Sequence, residues 1–237
     1  MRLSGQVALV TGATGGIGQA IVHALRAEGA AVFGTDLCDS DFDGDLRDPA
    51  FCDALPGRVT AQAGRLDILC NNAGVIPRGK ITDATDDDLR LAMAINVEAP
   101  FRLCRAAIPI MADQGGGAII NTASCWGVHP GPDHPVYVMT KAAVASLTQC
   151  LGRDHAHQGI RVNAVCPNEV NTPMLRTGFQ ARGLDPDAAI AALNASVPLG
   201  RIAEPADIAD VVVFLASDAA RYMCGALVEV NGGKPVT

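Results

Sequence analysis

Residues 7–36 read VALVTGATGGIGQAIVHALRAEGAAVFGTD. Val7–Thr11 is a short apolar run, glycines 12, 15, 16 and 18 crowd the next positions, and Ile17, Ile21 and Leu25 then recur at helical spacing. A second apolar run, Ala31–Thr35, follows. The reading is strand, glycine turn, helix, strand, one βαβ unit of a parallel sheet. Glycines spaced as Thr11-Gly12-x-x-x-Gly16-x-Gly18 let the backbone turn tightly and approach a pyrophosphate, to which the helix N-terminus offers N–H groups and the positive end of its dipole. A plain tight turn uses glycines too; the strand before and the amphipathic helix after are what point to a nucleotide. Asp36 closes the second strand, where a carboxylate accepts from a ribose 2′-hydroxyl and repels a 2′-phosphate. The plainer alternative for it is a cap or solvated turn residue, as expected of Asp39 and Asp41. Neither Thr14 nor Leu37 beside it is basic, so NAD is favoured over NADP.

The alternation of short apolar runs with helix-period segments continues along the chain. Strands are expected at Val7–Thr11, Ala31–Thr35, Phe42–Leu46, Asp67–Asn71, Ala118–Thr122, Ile160–Val165 and Ala226–Val230, and helices at 17–28, 49–63, 86–112, 137–157, 174–193 and 205–216. Without repeats, low-complexity tracts or a linker, this predicts an α/β fold: one domain over 1–237, a Rossmann-like, doubly wound parallel sheet of about seven strands flanked by helices. One spacing is short. Only six residues separate the second and third strands, fewer than the dozen or so of a crossover helix, so that helix is expected to be missing.

Hydrophobic residues make up 49% of the 237 and charged ones 18%, which suits a packed core and argues against disorder. A net charge of −7 with no basic run removes the footprint of a nucleic-acid or anionic-membrane partner. Eight scattered cysteines without a CxxC pair, no leader before the first strand and no apolar run of membrane length predict a reducing, cytoplasmic setting. No metal-ligand set is legible.

SCWGVHPGPDHPVYVMTK, residues 124–141, holds one of two tyrosines, with a lysine four places on. In a helix Tyr137 and Lys141 lie on one face, a turn apart. That alone is commonplace, but Ser124 ends the strand before them, and all three can converge in the crevice where α/β sheets bind ligands.

With TGxxxGxG at 11–18, NNAG at 71–74, Asn96, Ser124 and the YxxxK pair in order, the chain resembles the short-chain dehydrogenase/reductase family. The likeness runs end to end, including RVNAVCP at 161–167, PLGRIAEPADIA at 198–209 and GALVEVNGG at 225–233. It implies that Tyr137 is the general base in alcohol oxidation and the acid in ketone reduction. Lys141 would hold the nicotinamide ribose and help lower the phenol from its usual pKa of about 10. Ser124 would bind the substrate oxygen, and Asn96 would anchor a water relaying protons from Lys141. The cofactor would be held by Gly12, Thr14, Gly16, Ile17 and Gly18 at the turn; by Asp36, Leu37, Asp45 and Leu46 around the adenosine; by Asn71 or Asn72 with Ala73 and Gly74; by Tyr137 and Lys141; and by Pro167, Val170 and Thr172 towards the carboxamide.

The family usually carries Gly after Pro167, where this chain has Asn168, a residue that tolerates left-handed backbone. Asn168 and Glu169 are candidates to face the substrate. So are Cys125, Trp126, His129, His134 and Met174, with both histidines set against the reading of ordinary loop histidines. Residues 173–197 are expected to form a lid. The implied function is NAD-dependent hydride transfer between a secondary alcohol and a ketone, with a polyol, sugar or small cyclic alcohol as substrate. The alternatives are a 3-oxoacyl-thioester (acyl-carrier-protein) reductase, which Asp36 disfavours, and a non-catalytic dinucleotide-binding sensor. The resemblance also implies a homotetramer, or a homodimer.

Overall fold

The computed structural model describes residues 1–234; residues 235–237, the end of the expected domain, lie outside the described residues. Seven strands form one sheet: β1 Val7–Thr11, β2 Ala31–Asp36, β3 Phe42–Asp43, β4 Ile68–Asn71, β5 Gly117–Thr122, β6 Ile160–Pro167 and β7 Leu227–Val230. Every neighbouring pair is parallel, in the order β3-β2-β1-β4-β5-β6-β7. The order reverses between β1 and β4, and the carboxyl ends of those strands open the crevice expected at such a switch point.

Period-two alternation sorts each strand between two cores. Ala8, Val10, Ile68, Cys70 and Ile120 face a layer containing α1 (Gly16–Ala27) and α9 (Pro205–Ala216). Val7, Leu9, Leu69, Ile119 and Val162 face α2 (Pro49–Ala63) and α4 (Ala99–Asp113). Ile21, Leu25, Leu55 and Val59 are wholly buried at these faces, each contributing about 1.5–3 kcal/mol of transfer free energy. That burial holds the strand ends, and hence the crevice, in place.

The expected elements are all present, with four adjustments. β3 is a two-residue strand that reaches its parallel register without a crossover helix. Phe42 pairs beside Thr35, so the chain retreats little before resuming its direction. Asp41 accepts from the Gly34 N–H at 2.7 Å, and Ser40 Oγ from the Asp36 N–H at 3.0 Å, which folds the short loop. The 86–112 segment is α3 (Asp86–Ala92), a π-helical stretch (Met93–Glu98) and then α4. The 137–157 helix starts earlier, as α6 (Pro135–Asp154), because proline at the first helical position needs no N–H partner. A short α5 (Cys125–Val128) precedes it. The 174–193 segment is two helices, α7 (Pro173–Gln180) and α8 (Pro186–Ser196), because Gly183 is left-handed (φ 70°) and Asp185 caps Pro186 onward by accepting from the Ala188 N–H. Phe179, Ile190, Val197 and Ile202 give these two helices a small core of their own.

Candidate active site

A cavity of about 860 Å³ runs along the carboxyl edge of the sheet, from the end of β2 across β1 and β4 to β6 and α7. At its centre Gly12 is left-handed (φ 64°), and a Cβ there would stand 2.9 Å from the Ala73 Cα; a Cβ on Gly18 would stand 2.8 Å from the Gly12 carbonyl carbon. Glycine is therefore required at both positions for strand, turn and helix to close on one another. α1 begins at Gly15 with no side-chain cap and no acid in its first turn, so its leading N–H groups and dipole are left for an anion at the cavity wall. These features fit a dinucleotide pyrophosphate.

Thr11 ties the two strand ends together: its Oγ1 accepts from the Asn72 and Ala73 N–H groups, both at 3.0 Å. Of the two candidate asparagines, Asn72 lines the cavity. Asn71 turns inward and donates to Asn121 at 2.8 Å, and Asn121 donates on to Thr148 at 2.9 Å. Asp36 lines the far end, accepting from the Thr14 N–H (3.0 Å) and Oγ1–H (2.7 Å) and from the Leu37 N–H (2.9 Å). Leu37, Asp45 and Leu46 share that end. Arg47 joins them, unforeseen in the sequence; its guanidinium is held by Asp45, with Nε donating at 2.8 Å.

Ser124 follows β5 and caps α5, its Oγ accepting from the Trp126 N–H at 3.1 Å. Tyr137 and Lys141 face it from α6, and all three line the cavity. Lys141 is buried and donates to the Thr122 carbonyl at 2.7 Å, its Nζ lying 5.8 Å from the Tyr137 ring centre. Asn96 sits in the π-helical stretch, where the widened turn directs its amide inward. It donates to the Val75 carbonyl (2.9 Å) and Thr140 Oγ1 (3.0 Å) and accepts from the Val75 N–H (2.8 Å). A Cβ on Gly74 would fall 3.3 Å from both Asn96 Oδ1 and Lys141 Nζ, so these polar groups converge closely on the glycine.

Burial lowers Lys141 to about 8. Burial raises the Tyr137 phenol, against the Ser124 hydroxyl and the Arg78 charge, which both pull it down. The resemblance implied a lowered phenol; with these groups alone the direction is upward, because desolvation outweighs them.

On the substrate side Trp126, His134, Asn168, Glu169 and Met174 line the cavity, with Pro167, Val170 and Thr172 beside them. Trp126 and His134 stack at 4.8 Å. His134 Nδ1 donates to the Pro132 carbonyl at 3.1 Å, and its buried Nε2 has no protein partner. Asn168 has no left-handed backbone, so the family's glycine is not needed for the turn here. Glu169 pairs with Lys234 at 2.6 Å. Two candidates are corrected. Cys125, the first residue of α5, is wholly buried, its thiol donating to the Cys166 carbonyl at 3.0 Å, and does not reach the cavity. His129 pairs instead with Glu229 at 3.0 Å. Arg78, on the loop after NNAG, also lines the cavity and was missed, since no pattern marks an arginine in a loop. Among the described residues no cluster of His, Cys, Asp or Glu is arranged to hold a metal, and no helix is long and apolar enough to cross a membrane.

A doubly wound sheet with an anion-receiving glycine turn and a Ser/Tyr/Lys group in one cavity defines an α/β oxidoreductase of the dinucleotide-using class. Residues 12–234 match the family model described as enoyl-(acyl carrier protein) reductase. The chain is 34% identical to the oxidoreductase UcpA of Escherichia coli K12, over 98% of this chain and 95% of that one. It is 36% identical to a 2-keto-3-deoxy-L-fuconate dehydrogenase of Xanthomonas campestris pv. campestris, over 98% of this chain and 81% of that one. Among solved structures, ligand-free aldohexose dehydrogenase from Thermoplasma acidophilum superposes with a TM-score of 0.94 at 30% identity, covering 99% of this chain and 96% of that chain. The chain belongs to the short-chain dehydrogenase/reductase family. It is an oxidoreductase acting on CH–OH groups, in a family whose dehydrogenases use nicotinamide dinucleotides.

Proposed function

We propose that the protein interconverts a secondary alcohol and a ketone using NAD(H). The observation that carries this reading is that Ser124, Tyr137 and Lys141 meet in the same cavity as the uncapped α1 N-terminus and Asp36. Gly12, Thr14, Gly16, Ile17 and Gly18 would receive the pyrophosphate. Asp36, Leu37, Asp45 and Leu46 would take the adenosine, and Asn72, Ala73 and Gly74 the middle of the cofactor. Pro167, Val170 and Thr172 would take the carboxamide end, with Tyr137 and Lys141 at the ribose. Bound there, the dinucleotide supplies the hydride acceptor for oxidation and the donor for reduction. Tyr137 takes the hydroxyl proton of the alcohol, or returns it to the ketone. Ser124 holds the reacting oxygen as its charge changes. Lys141 keeps positive charge beside the phenol, and Asn96, fixed by Val75 and Thr140, anchors the water that passes the proton on.

NAD rather than NADP is supported by Asp36, whose negative charge opposes a 2′-phosphate, and by Arg47 being already engaged by Asp45. Trp126, His134 and Met174 suit a polyol, sugar or small cyclic alcohol, and residues 173–197, with their separate core, suit a lid. Two relatives are named for sugar or sugar-acid dehydrogenases, which agrees with that class. Eight free thiols favour the cytoplasm. The test is an alcohol and ketone panel with both dinucleotides. Tyr137→Phe should lower turnover by about 10²- to 10⁴-fold, while NAD binding stays within a few-fold; retained turnover would sink the mechanism.

A further inference from the structure

Arg78 reaches from the loop after β4 to α7, where a Cβ on Gly178 would stand 2.6 Å from its Cζ. Arg182, just past α7, donates its Nε–H to the Gly178 carbonyl at 3.0 Å and lies over the Phe179 ring at 5.0 Å. The two guanidiniums thus flank one residue, and both line the cavity. Among the described residues no carboxylate lies within 4.0 Å of either. On the substrate side of the cavity Glu169 pairs through Oε1 with Lys234, and its buried Oε2 has no protein partner.

In a chain of net charge −7, whose other arginines include many held by carboxylates, half-buried Arg78 and exposed Arg182 stand side by side in one cavity without a carboxylate partner, an arrangement that suits an anionic ligand. Arg78 is half-buried, and burial and the Arg182 charge both lower its pKa, a cost that an anion between the two removes. Its charge also reaches Tyr137, so this positive patch lies near the reacting end of the cavity rather than at a remote mouth.

We infer that the substrate is a hydroxy acid, or the matching oxo acid, whose carboxylate is bound by Arg78 and Arg182 within a few bonds of the carbon that reacts. The planar guanidinium fork matches a carboxylate with two parallel hydrogen bonds. The carboxylate takes no part in the bond changes. The inference rests on the reading that Tyr137 marks the reacting carbon.

The test compares kcat/KM for matched pairs, 3-hydroxybutanoate with its primary amide and gluconate with gluconamide, alongside glycerol 1-phosphate, a phosphate monoester that keeps a free secondary hydroxyl. The acids should be favoured over the amides by about 100-fold, the worth of a charge-assisted pair. That preference should collapse in Arg78→Met and be partly kept in Arg78→Lys. Independently of turnover, calorimetry should show malonate binding that weakens at least tenfold in Arg78→Met, with circular dichroism confirming the fold. Amides used as well as acids, a preference that survives Arg78→Met, the phosphate monoester preferred over both acids, or malonate bound equally by both proteins or by neither would overturn the assignment. Neutral alcohols turned over without any acid preference would refute the anion site and leave the dehydrogenase reading standing. Arg78-dependent malonate binding in a protein inert towards every alcohol and ketone would do the reverse.

Discussion

Replacing Asp36 with alanine tests the cofactor assignment, and the geometry sets the size of the effect. A carboxylate offers about four acceptor positions. Thr14 occupies two, both on Oδ2, and the Leu37 N–H takes one on Oδ1. One position on Oδ1 remains for a ribose hydroxyl. Loss of a single hydrogen bond to a charged acceptor costs about 1.5–3 kcal/mol, or about 10- to 150-fold in Kd for NAD. NADP should not suffer the same loss, because the substitution also removes a negative charge facing its 2′-phosphate. Isothermal titration of both dinucleotides into wild type and Asp36→Ala measures this directly. Asp36→Asn serves as the control for loop collapse, since it keeps an acceptor for Thr14 while removing the charge. Equal losses for the two dinucleotides, or a wild type that binds NADP as tightly as NAD, would refute the reasoning.

Burial raises the thiols of Cys70, Cys104, Cys125 and Cys166 to about 12 and that of Cys52 to about 11, from 9.0. Folded values above unfolded ones mean that this stability is whole below pH 9 and is lost as pH rises towards 12; at pH 10 each thiol costs about 1 kcal/mol. Lys141, at about 8 against 10.5, works oppositely and returns about 2–3 kcal/mol between pH 7 and 10, so urea titrations should show a net fall of a few kcal/mol; a flat profile would contradict it. The tetramer implied by the family resemblance should appear in light scattering, since α4 and α6 leave Phe101 and Met139 half exposed on their outer faces; a monomer would count against it.

Local signals made most of this legible. The glycine turn, the period-two strands and the Tyr/Lys spacing each depend on neighbours in the chain, and their elements lie within a few residues of expectation. What the sequence concealed depends on contacts between distant segments. The inward turn of Asn71 needs Asn121, fifty positions on, to accept its amide. Cys125 adjoins Ser124 in sequence, yet the first turn of α5 points it at Cys166 instead of the cavity. The break between α7 and α8 had a local sign, Asp185-Pro186 after Gly183, which a continuous apolar period obscured. Arg78 meets Gly178 of α7 only in the folded chain, and no motif records that.

The state of the phenol links these points. A tyrosine raised by burial is almost wholly protonated near neutrality, so as it stands Tyr137 is prepared to donate a proton, the role that ketone reduction requires. To accept one it needs more support for the phenolate than the Ser124 hydrogen bond and the Arg78 charge supply. Lys141 is the nearby source: one of its three N–H donors goes to the Thr122 carbonyl, and burial has brought it to about 8, where it loses charge just above neutrality. A substrate carboxylate placed against Arg78 would weaken one of the two influences that now lower the phenol. The hydroxy acid inferred above therefore makes oxidation depend more heavily on Lys141, and on the Asn96–Thr140 contact that holds α6 against the π-helical stretch. On the mechanism proposed above, the lysine would be more than a ribose ligand: its charge would be what lets Tyr137 work as a base.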